Sequence, residues 1–175
     1  MSGALLLFLA ACTPDDPALG TYVGDEVTHN DFESLRGWAT ADTAALTTAL
    51  ARSGRWAVRV DAVQPVGPVF KAPLGAASVH TLKAIEVEAW VYLPVGQSDA
   101  ELRVEIWPAA GGGFLHREAW PLRSQVRSVA EWVRVRHTFK LPAGSNSADY
   151  LCLTLAHIPN AGPIYLDDLT VKALE

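Results

Sequence analysis

Two segments of the chain carry aromatic rings and charged groups at every second position. One segment contains Glu88 and Trp90, and the other contains Arg103, Glu105 and Trp107. An aromatic ring can stack on the C–H face of a sugar, while carboxylates and guanidinium groups exchange hydrogen bonds with its hydroxyls. We therefore expect these five residues to form a carbohydrate site, provided that the two strands are neighbours in one sheet. The alternative is that the aromatic rings fill a core.

The remaining reactive side chains do not form a recognisable catalytic or zinc motif. The five histidines are scattered, without the close spacing that a zinc site requires. No nucleophile elbow, phosphate loop or dinucleotide loop is present. Glu88 and Glu105 could meet the carboxylate separation of a glycosidase by chance, and nothing in the sequence indicates a raised pKa for either. We predict a protein that is not an enzyme.

Charge and composition exclude other classes of protein. The 175 residues, half of them hydrophobic, are enough for one domain with a buried core. The net charge is −5, and the acidic residues ahead of residue 28 supply most of it. The rest of the chain is nearly neutral and lacks the basic field that nucleic-acid binding requires, so we expect no nucleic-acid partner.

The first residues predict export and a lipid anchor. Residues 4–11 form an apolar run that is too short to span a bilayer but has the length of a signal-peptide core. Leu9-Ala10-Ala11-Cys12 resembles the lipobox of bacterial lipoproteins, in which the cysteine is acylated and becomes the first mature residue. The resemblance implies a signal peptide at 1–12, lipidation of Cys12 and a membrane anchor at the bacterial cell envelope, on the periplasmic or the cell-surface side. An ordinary secretory signal with a chance cysteine is the alternative.

Period-two alternation dominates the rest of the chain. Residues 13–27 are rich in proline, glycine and acidic residues and predict a linker. Beyond them, apolar and polar residues alternate in short runs separated by turn residues, such as those at 64–68 and 110–113. This pattern predicts an all-β antiparallel sandwich over 28–175, with Trp38 and Trp132 in its core and at most a short helix within 39–51. The alternating runs are 56–62, 85–93, 101–107, 132–141 and 150–155.

Several short motifs, in order, resemble those of a known family. They are Asn30-Asp31-Phe32-Glu33, Gly37-Trp38, Arg52-Ser53-Gly54, Val87-Glu88-Ala89-Trp90-Val91-Tyr92, Glu131-Trp132-Val133-Arg134-Val135, Leu141-Pro142 and Ile164-Tyr165-Leu166-Asp167-Asp168-Leu169. Together they resemble the galactose-binding-domain-like jelly roll of CenC-type (family 4/9/22-like) carbohydrate-binding modules. The resemblance implies non-catalytic binding of an oligo- or polysaccharide. A structural or adhesion lipoprotein that binds envelope protein or cell-wall polymer is the alternative, because fold alone does not fix function.

The same resemblance implies a structural calcium ion near the two ends of the domain. Carried over to this chain, its ligands are Glu33, backbone carbonyls around Arg52 and Ser53, and Asp168. Strand alternation predicts that Asp167 faces the opposite way. The alternative is that these acidic residues cap turns or pair with Arg52 or Arg55.

Overall fold

The computed structural model describes residues 25–38, 43–78 and 82–174, and within these ranges the chain is built almost entirely from β-strands. A short helix, α1 (Leu74–Ala77), and a 3₁₀ turn (Leu122–Ser124) complete the regular elements of the described ranges. The strands are β1 (Glu26–Asn30), β2 (Leu46–Thr47), β3 (Ala57–Val60), β4 (Val66–Pro73), β5 (Ala84–Tyr92), β6 (Ala100–Trp107), β7 (His116–Pro121), β8 (Trp132–Lys140), β9 (Tyr150–His157) and β10 (Ile164–Leu174).

The strands form two antiparallel sheets. The six-stranded sheet has the order β2-β3-β10-β5-β8, and β1 also pairs with β10. The four-stranded sheet has the order β4-β9-β6-β7. The long strand β10 therefore pairs with three strands: β1, β3 and β5. This arrangement confirms the predicted all-β antiparallel sandwich.

Alternate residues of each strand point into the space between the sheets. In β5 the inward residues Ile85, Val87, Ala89 and Val91 are completely buried, and the intervening positions are only half-buried. Strand β6 repeats the pattern, with its buried positions beginning at Ala100. Burying each large aliphatic side chain contributes about 1.5–3 kcal/mol, so the alternation fixes which face of each strand looks outward.

The structure places several local elements more precisely than the sequence does. Strand β1 begins at Glu26, inside the predicted linker, because its backbone pairs with Lys172 of β10. Strand β4 begins at Val66, inside the predicted turn at 64–68, and a register irregularity between Val66 and Val69 accommodates the proline and glycine there. The range 39–51 could form at most a short helix, and its threonines favour strand or loop; its described part contains turns and β2, and a short helix lies at α1.

The predicted lipidation site, Cys12, lies outside the described residues. Across the ranges that are described, we find no helix with the length and apolar character needed to span a membrane.

Candidate functional site

The structure separates the five residues predicted to form one carbohydrate site. Glu88 and Trp90 lie on β5 in the six-stranded sheet, whereas Arg103, Glu105 and Trp107 lie on β6 in the four-stranded sheet. The condition that the two strands are neighbours is therefore not met, and a single five-residue site is wrong. In both strands these side chains alternate with the buried positions, so the two groups lie on opposite outer faces of the sandwich.

The outer face of the four-stranded sheet, here called the four-strand face, carries the group from β6. Strand pairing places its outward residues in rows that run across β4, β9, β6 and β7. The central rows are Pro73–Tyr150–Trp107, Lys71–Cys152–Glu105–Arg117 and Val69–Thr154–Arg103–Ala119.

Aromatic rings gather at one end of the four-strand face. Trp107 is the cross-strand partner of Tyr150, and Phe114 meets the Trp107 ring edge-on at 5.8 Å between centroids. Phe114 is 44% exposed, which is unusual for a phenylalanine and places an apolar ring in contact with solvent. Lys71 lies 4.5 Å from the centre of the Tyr150 ring, and Arg117 lies 4.4 Å from that of Phe114. This end of the face therefore offers aromatic surface bordered by cations.

Small side chains line β9 below the aromatic rings. Cys152 and Thr154 are flanked by the long side chain of Lys71 on β4 and by those of Arg103 and Glu105 on β6. Because the flanking side chains are longer, we infer that Cys152 and Thr154 lie at the bottom of a shallow channel along β9. The thiol forms part of its floor: burial raises the pKa of Cys152 and Glu105 adds to the increase, while Lys71 opposes it. Cys152 is therefore a neutral thiol at physiological pH.

Glu105 is the centre of a hydrogen-bond network on this face. One carboxylate oxygen accepts a bond from Trp107 Nε1 at 2.8 Å, and the other accepts one from Arg117 Nε at 2.7 Å. Arg103 is paired in the same way with Glu101, at 2.5 Å. These bonds hold the Trp107 ring and the charged groups in fixed positions, which lowers the cost of ordering them around a ligand.

The loop at 110–113 lies in the connection from β6 to β7, at the aromatic end of the four-strand face. Gly111 and Gly112 have φ of +81° and +102°, conformations that glycine adopts without a steric penalty. The loop is exposed and leads directly to Phe114. It therefore sets the position of the Phe114 ring beside Trp107.

On the opposite side, the six-strand face is defined by the outward residues of β5, β8 and β10. Its Trp90 is covered by Arg52, whose guanidinium carbon lies 4.2 Å from the centre of the indole ring. The predicted ligand residue Trp90 is thus already engaged by a cation from the protein itself.

Glu88, the other predicted ligand residue on this face, is held by two arginines of β8. Arg134 donates to one carboxylate oxygen at 2.6 Å and Arg136 to the other at 2.8 Å. Burial opposes ionisation, but the hydrogen bonds from both arginines outweigh it and lower the pKa of Glu88. The bond to Glu88 correspondingly raises the pKa of Arg136. This carboxylate is already satisfied within the sheet.

Trp132 was predicted to lie in the core, and the structure places it on the six-strand face. It packs against Tyr92 at 5.6 Å between ring centroids, and Tyr92 in turn meets Tyr165 edge-on at 6.1 Å. Trp132 starts β8 opposite the outward-facing Tyr92, which explains its position. Trp38 does pack against the core, between Phe32 and Phe70.

The residues assigned to calcium form a compact cluster of hydrogen bonds. The buried Asp167 accepts bonds from the backbone N–H groups of Arg52 at 2.8 Å and Ser53 at 3.1 Å. Asp168 accepts the Ser53 hydroxyl at 2.9 Å and pairs with the Arg52 guanidinium at 2.8 Å. Burial raises the pKa of Asp167, although the N–H donors of Ser53 and Arg52 work against this.

The expectation that Asp167 and Asp168 face opposite ways was wrong. The register between β10 and β5 shifts after Asp167, and Asp168 has a φ of +46°. Such a bulge interrupts the alternation of side chains, so both carboxylates reach the Arg52–Ser53 turn.

Glu33 is bound to the same region of backbone. Its Oε1 accepts bonds from the N–H groups of Arg55 at 2.6 Å and Trp56 at 2.7 Å. Gly54, at φ +56°, leaves room for it, since a Cβ there would come within 2.5 Å of this oxygen.

These contacts test whether the assigned residues fit a calcium ion. The Glu33 oxygen and both Asp168 oxygens accept bonds from N–H, O–H and guanidinium donors, which a cation would have to displace. Within the described ranges, no group of three or more His, Cys, Asp or Glu side chains is arranged to hold a metal ion. As they stand, the residues fit the alternative of turn capping and pairing with Arg52, and do not fit a calcium site.

Solved structures share this fold. The CBM22-1 xylan-binding domain of Paenibacillus barcinonensis Xyn10C matches with a TM-score of 0.52 at 19% identity, covering 89% of this chain and 99% of that one. The CBM22-2 domain of the same protein matches with a TM-score of 0.54 at 12% identity, covering 84% and 99%. The CBM22-1–GH10 modules of Clostridium thermocellum xylanase 10B, complexed with xylohexaose, match with a TM-score of 0.55 at 14% identity, covering 88% of this chain and 29% of that one.

No family model and no curated protein matches the chain. At identities of this size the structural likeness establishes the fold. The chain therefore has the β-sandwich fold of carbohydrate-binding modules, of the kind seen in family 22.

Sequence reasoning missed four residues of the four-strand face: Lys71, Phe114, Arg117 and Tyr150. Tyr150 alternates with buried leucines on β9, and Trp107 alternates with buried aliphatic residues on β6. This alternation is visible in the sequence and could have identified Tyr150. Lys71 lies on β4, whose alternation is interrupted by proline and glycine, and Arg117 lies on β7, whose alternation is weak. Only the strand pairing therefore places these two residues on the four-strand face.

Proposed function

We propose that the chain is a non-catalytic carbohydrate-binding module whose ligand lies on the four-strand face. The observation that carries this proposal is the row formed by Trp107 and Tyr150, with the Glu105–Arg117 pair directly beside it. The rings supply surface for stacking on sugar C–H groups, and the charged pair supplies hydrogen-bond donors and acceptors for hydroxyls. A ligand site of this kind combines apolar surface with a few polar groups held in place.

The channel along β9 supports a chain-like ligand. Cys152 and Thr154 keep the floor low between Lys71 and Glu105, and the aromatic rings lie at its end. A polysaccharide lying along β9 would stack one sugar unit on the rings and contact the charged groups with the next. The neighbours described as xylan-binding, one of them complexed with xylohexaose, make xylan and xylohexaose the first ligands to test.

The arrangement of carboxylates supports binding without catalysis. Glu88 and Glu105, the pair considered for a glycosidase, lie on opposite faces of the sandwich and cannot act on one bond. On the four-strand face, Glu101 and Glu105 are both paired with arginines. A glycosidase needs one carboxyl group that remains protonated as an acid, and ion pairing disfavours this.

The competing role is a structural or adhesion lipoprotein that binds an envelope protein. That role predicts buried aromatic residues and an apolar patch elsewhere, whereas Trp107 and Tyr150 are half-buried in one row of an outer face. Native affinity electrophoresis in gels with and without xylan tests the choice. A carbohydrate-binding module is retarded by the polysaccharide, and retardation by none of a panel of plant and bacterial polysaccharides would support the structural role.

We also propose that Cys12 carries a lipid anchor at the bacterial cell envelope. The support is the lipobox-like segment Leu9-Ala10-Ala11-Cys12 and the acidic linker that follows it. Acylation at more than one position would be needed for stable anchoring, because a single acyl chain binds a membrane only weakly. Such an anchor would hold the domain at the envelope, on its periplasmic or its cell-surface side.

A further inference from the structure

The charges of the four-strand face do not balance. Two carboxylates, Glu101 and Glu105, lie on β6, and each forms an ion pair with an arginine of the same face at 2.5 Å. The third cation is Lys71, on β4 at the other side of the channel. Among the residues that the structure describes, its ammonium group contacts the Tyr150 ring and has no carboxylate partner. The face therefore presents one uncompensated positive charge.

The neighbours of Lys71 cannot supply the missing anion. Its cross-strand partner is Cys152, whose thiol is kept neutral by burial. Beyond Cys152 lies Glu105, which already binds Arg117 and Trp107. A free ammonium group at the border of a protein channel attracts an anionic group of a ligand.

The position of Lys71 also matches the geometry of the proposed site. Its ammonium group lies 4.5 Å from the centre of the Tyr150 ring, and Tyr150 is paired with Trp107. A sugar stacked on these rings would project its ring substituents over β9, toward Lys71. A carboxylate carried by that sugar or by its neighbour would reach the ammonium group without disturbing either arginine pair.

We propose that the ligand is an acidic glycan, in which a uronic-acid carboxylate forms an ion pair with Lys71. This inference rests on the proposed carbohydrate-binding function and names the substrate class of the same face. A uronic-acid carboxylate carries the single negative charge that would compensate the one unpaired ammonium group. Because Lys71 is exposed, an ion pair of this kind changes affinity by about two- to fivefold.

The experiment compares two forms of one polymer. The full chain is titrated with glucuronoxylan and with the same glucuronoxylan after chemical reduction of its carboxyl groups, at low ionic strength. We expect about two- to fivefold tighter binding of the carboxylated form, and we expect added salt to reduce the difference because screening weakens exposed ion pairs.

Three variants test whether Lys71 causes the preference for the carboxylated polymer. Lys71→Met is expected to bind both polymers equally, at the affinity of the wild-type chain for the reduced polymer. Lys71→Arg is expected to retain the preference. Lys172→Met removes the same charge from the six-stranded sheet, where Lys172 on β10 is the backbone cross-strand neighbour of Glu86 on β5, and is expected to behave as wild type.

The outcomes distinguish this inference from the proposed function. Equal binding of both polymers by the wild-type chain would overturn the role of Lys71 and leave carbohydrate binding intact. A preference that persists in Lys71→Met would also overturn it. Binding of neither polymer, together with no binding of neutral polysaccharides, would overturn the proposed function itself.

Discussion

Trp107 on β6 and Tyr150 on β9 are cross-strand partners, so both side chains project from the same outer face of the sandwich. The pairing depends on the register of two strands that are more than 40 residues apart in the sequence. It joins an indole whose N–H is bound by Glu105 to a phenol ring bordered by Lys71. The proposed carbohydrate site is built around this pair.

Replacing Glu105 tests whether the hydrogen-bond network serves the ligand. Glu105→Gln removes the charge that pairs with Arg117 and weakens the bond that orients Trp107. We expect glycan affinity to fall by about tenfold, because a charge-assisted hydrogen bond is worth about 1.5–3 kcal/mol. Isothermal titration with xylohexaose measures the effect.

Glu88→Gln is the matched control for that experiment. Glu88 is also bound by arginines on an outer face, but on the six-stranded sheet. We expect its substitution to leave the affinity unchanged. Equal losses in the two variants would mean that the effect of Glu105 is a general consequence of removing a surface ion pair.

The stability of the domain should depend on pH through Glu88. Its pKa in the folded state is lowered below the ordinary value of 4.5, so its bonds to Arg134 and Arg136 stabilise the fold above that pH. This contribution is lost as the pH falls through the lowered pKa. We expect Glu88→Gln to reduce the free energy of unfolding by about 1 kcal/mol at pH 7, since the arginines are half-exposed.

Urea denaturation of the wild type and of Glu88→Gln, at pH 7 and at pH 3, measures this difference. The gap between the two proteins should shrink at pH 3. A gap of the same size at both pH values would show that the ion pairs of Glu88 do not account for it.

The sequence predicted which side chains face outward but not which of them meet. Alternation is a local property of each strand, so the outward positions of Trp90 and Trp107 followed from their own segments. Strand neighbours are set by long-range pairing. Although β5 and β6 are consecutive, β5 pairs with β8 and β10, while β6 pairs with β7 and β9. A short connection between them crosses from one sheet to the other, and no residue pattern within it marks this crossing.

The bulge in β10 explains why strand alternation gave the wrong orientation for Asp167 and Asp168. Asp167 and Asp168 are adjacent, and a regular strand would direct them to opposite sides. The left-handed backbone of Asp168 turns both carboxylates toward Arg52 and Ser53 instead. Aspartate adopts this left-handed conformation only occasionally, so its presence in a strand is too weak a local signal to predict the bulge.

Chelation of calcium should leave the thermal stability of the domain unchanged. Asp167 and Asp168 are satisfied by Arg52 and Ser53, and Glu33 is satisfied by backbone N–H groups, so no cation is needed to neutralise them. Differential scanning fluorimetry with added calcium and with a chelator measures this. A melting temperature that falls on chelation in the wild type, but not in a Glu33→Gln, Asp168→Asn double variant, would establish the ion that the family resemblance implies.

Substitution of Cys12 should release the protein from membranes. If the thiol carries the lipid, Cys12→Ala cannot be acylated, and the chain loses the apolar anchor. We expect the wild type to partition into the detergent phase of a Triton X-114 extract and the variant to remain aqueous or unprocessed. Substitution of Cys152, which lies on β9, should not change the partitioning. Identical partitioning of the wild type and Cys12→Ala would contradict the anchor.

The most direct test of a carbohydrate site on the four-strand face is to titrate single variants of its two paired aromatic residues with xylan oligosaccharides and acidic glycans. We expect Trp107→Ala and Tyr150→Ala each to abolish measurable binding while lowering the free energy of unfolding by only about 1 kcal/mol, because a fully buried tryptophan would cost about 3–5 kcal/mol. Trp90→Ala, on the six-strand face under Arg52, should bind as the wild type does. Full binding by Trp107→Ala and Tyr150→Ala, or its loss in Trp90→Ala alone, would contradict a carbohydrate site on the four-strand face.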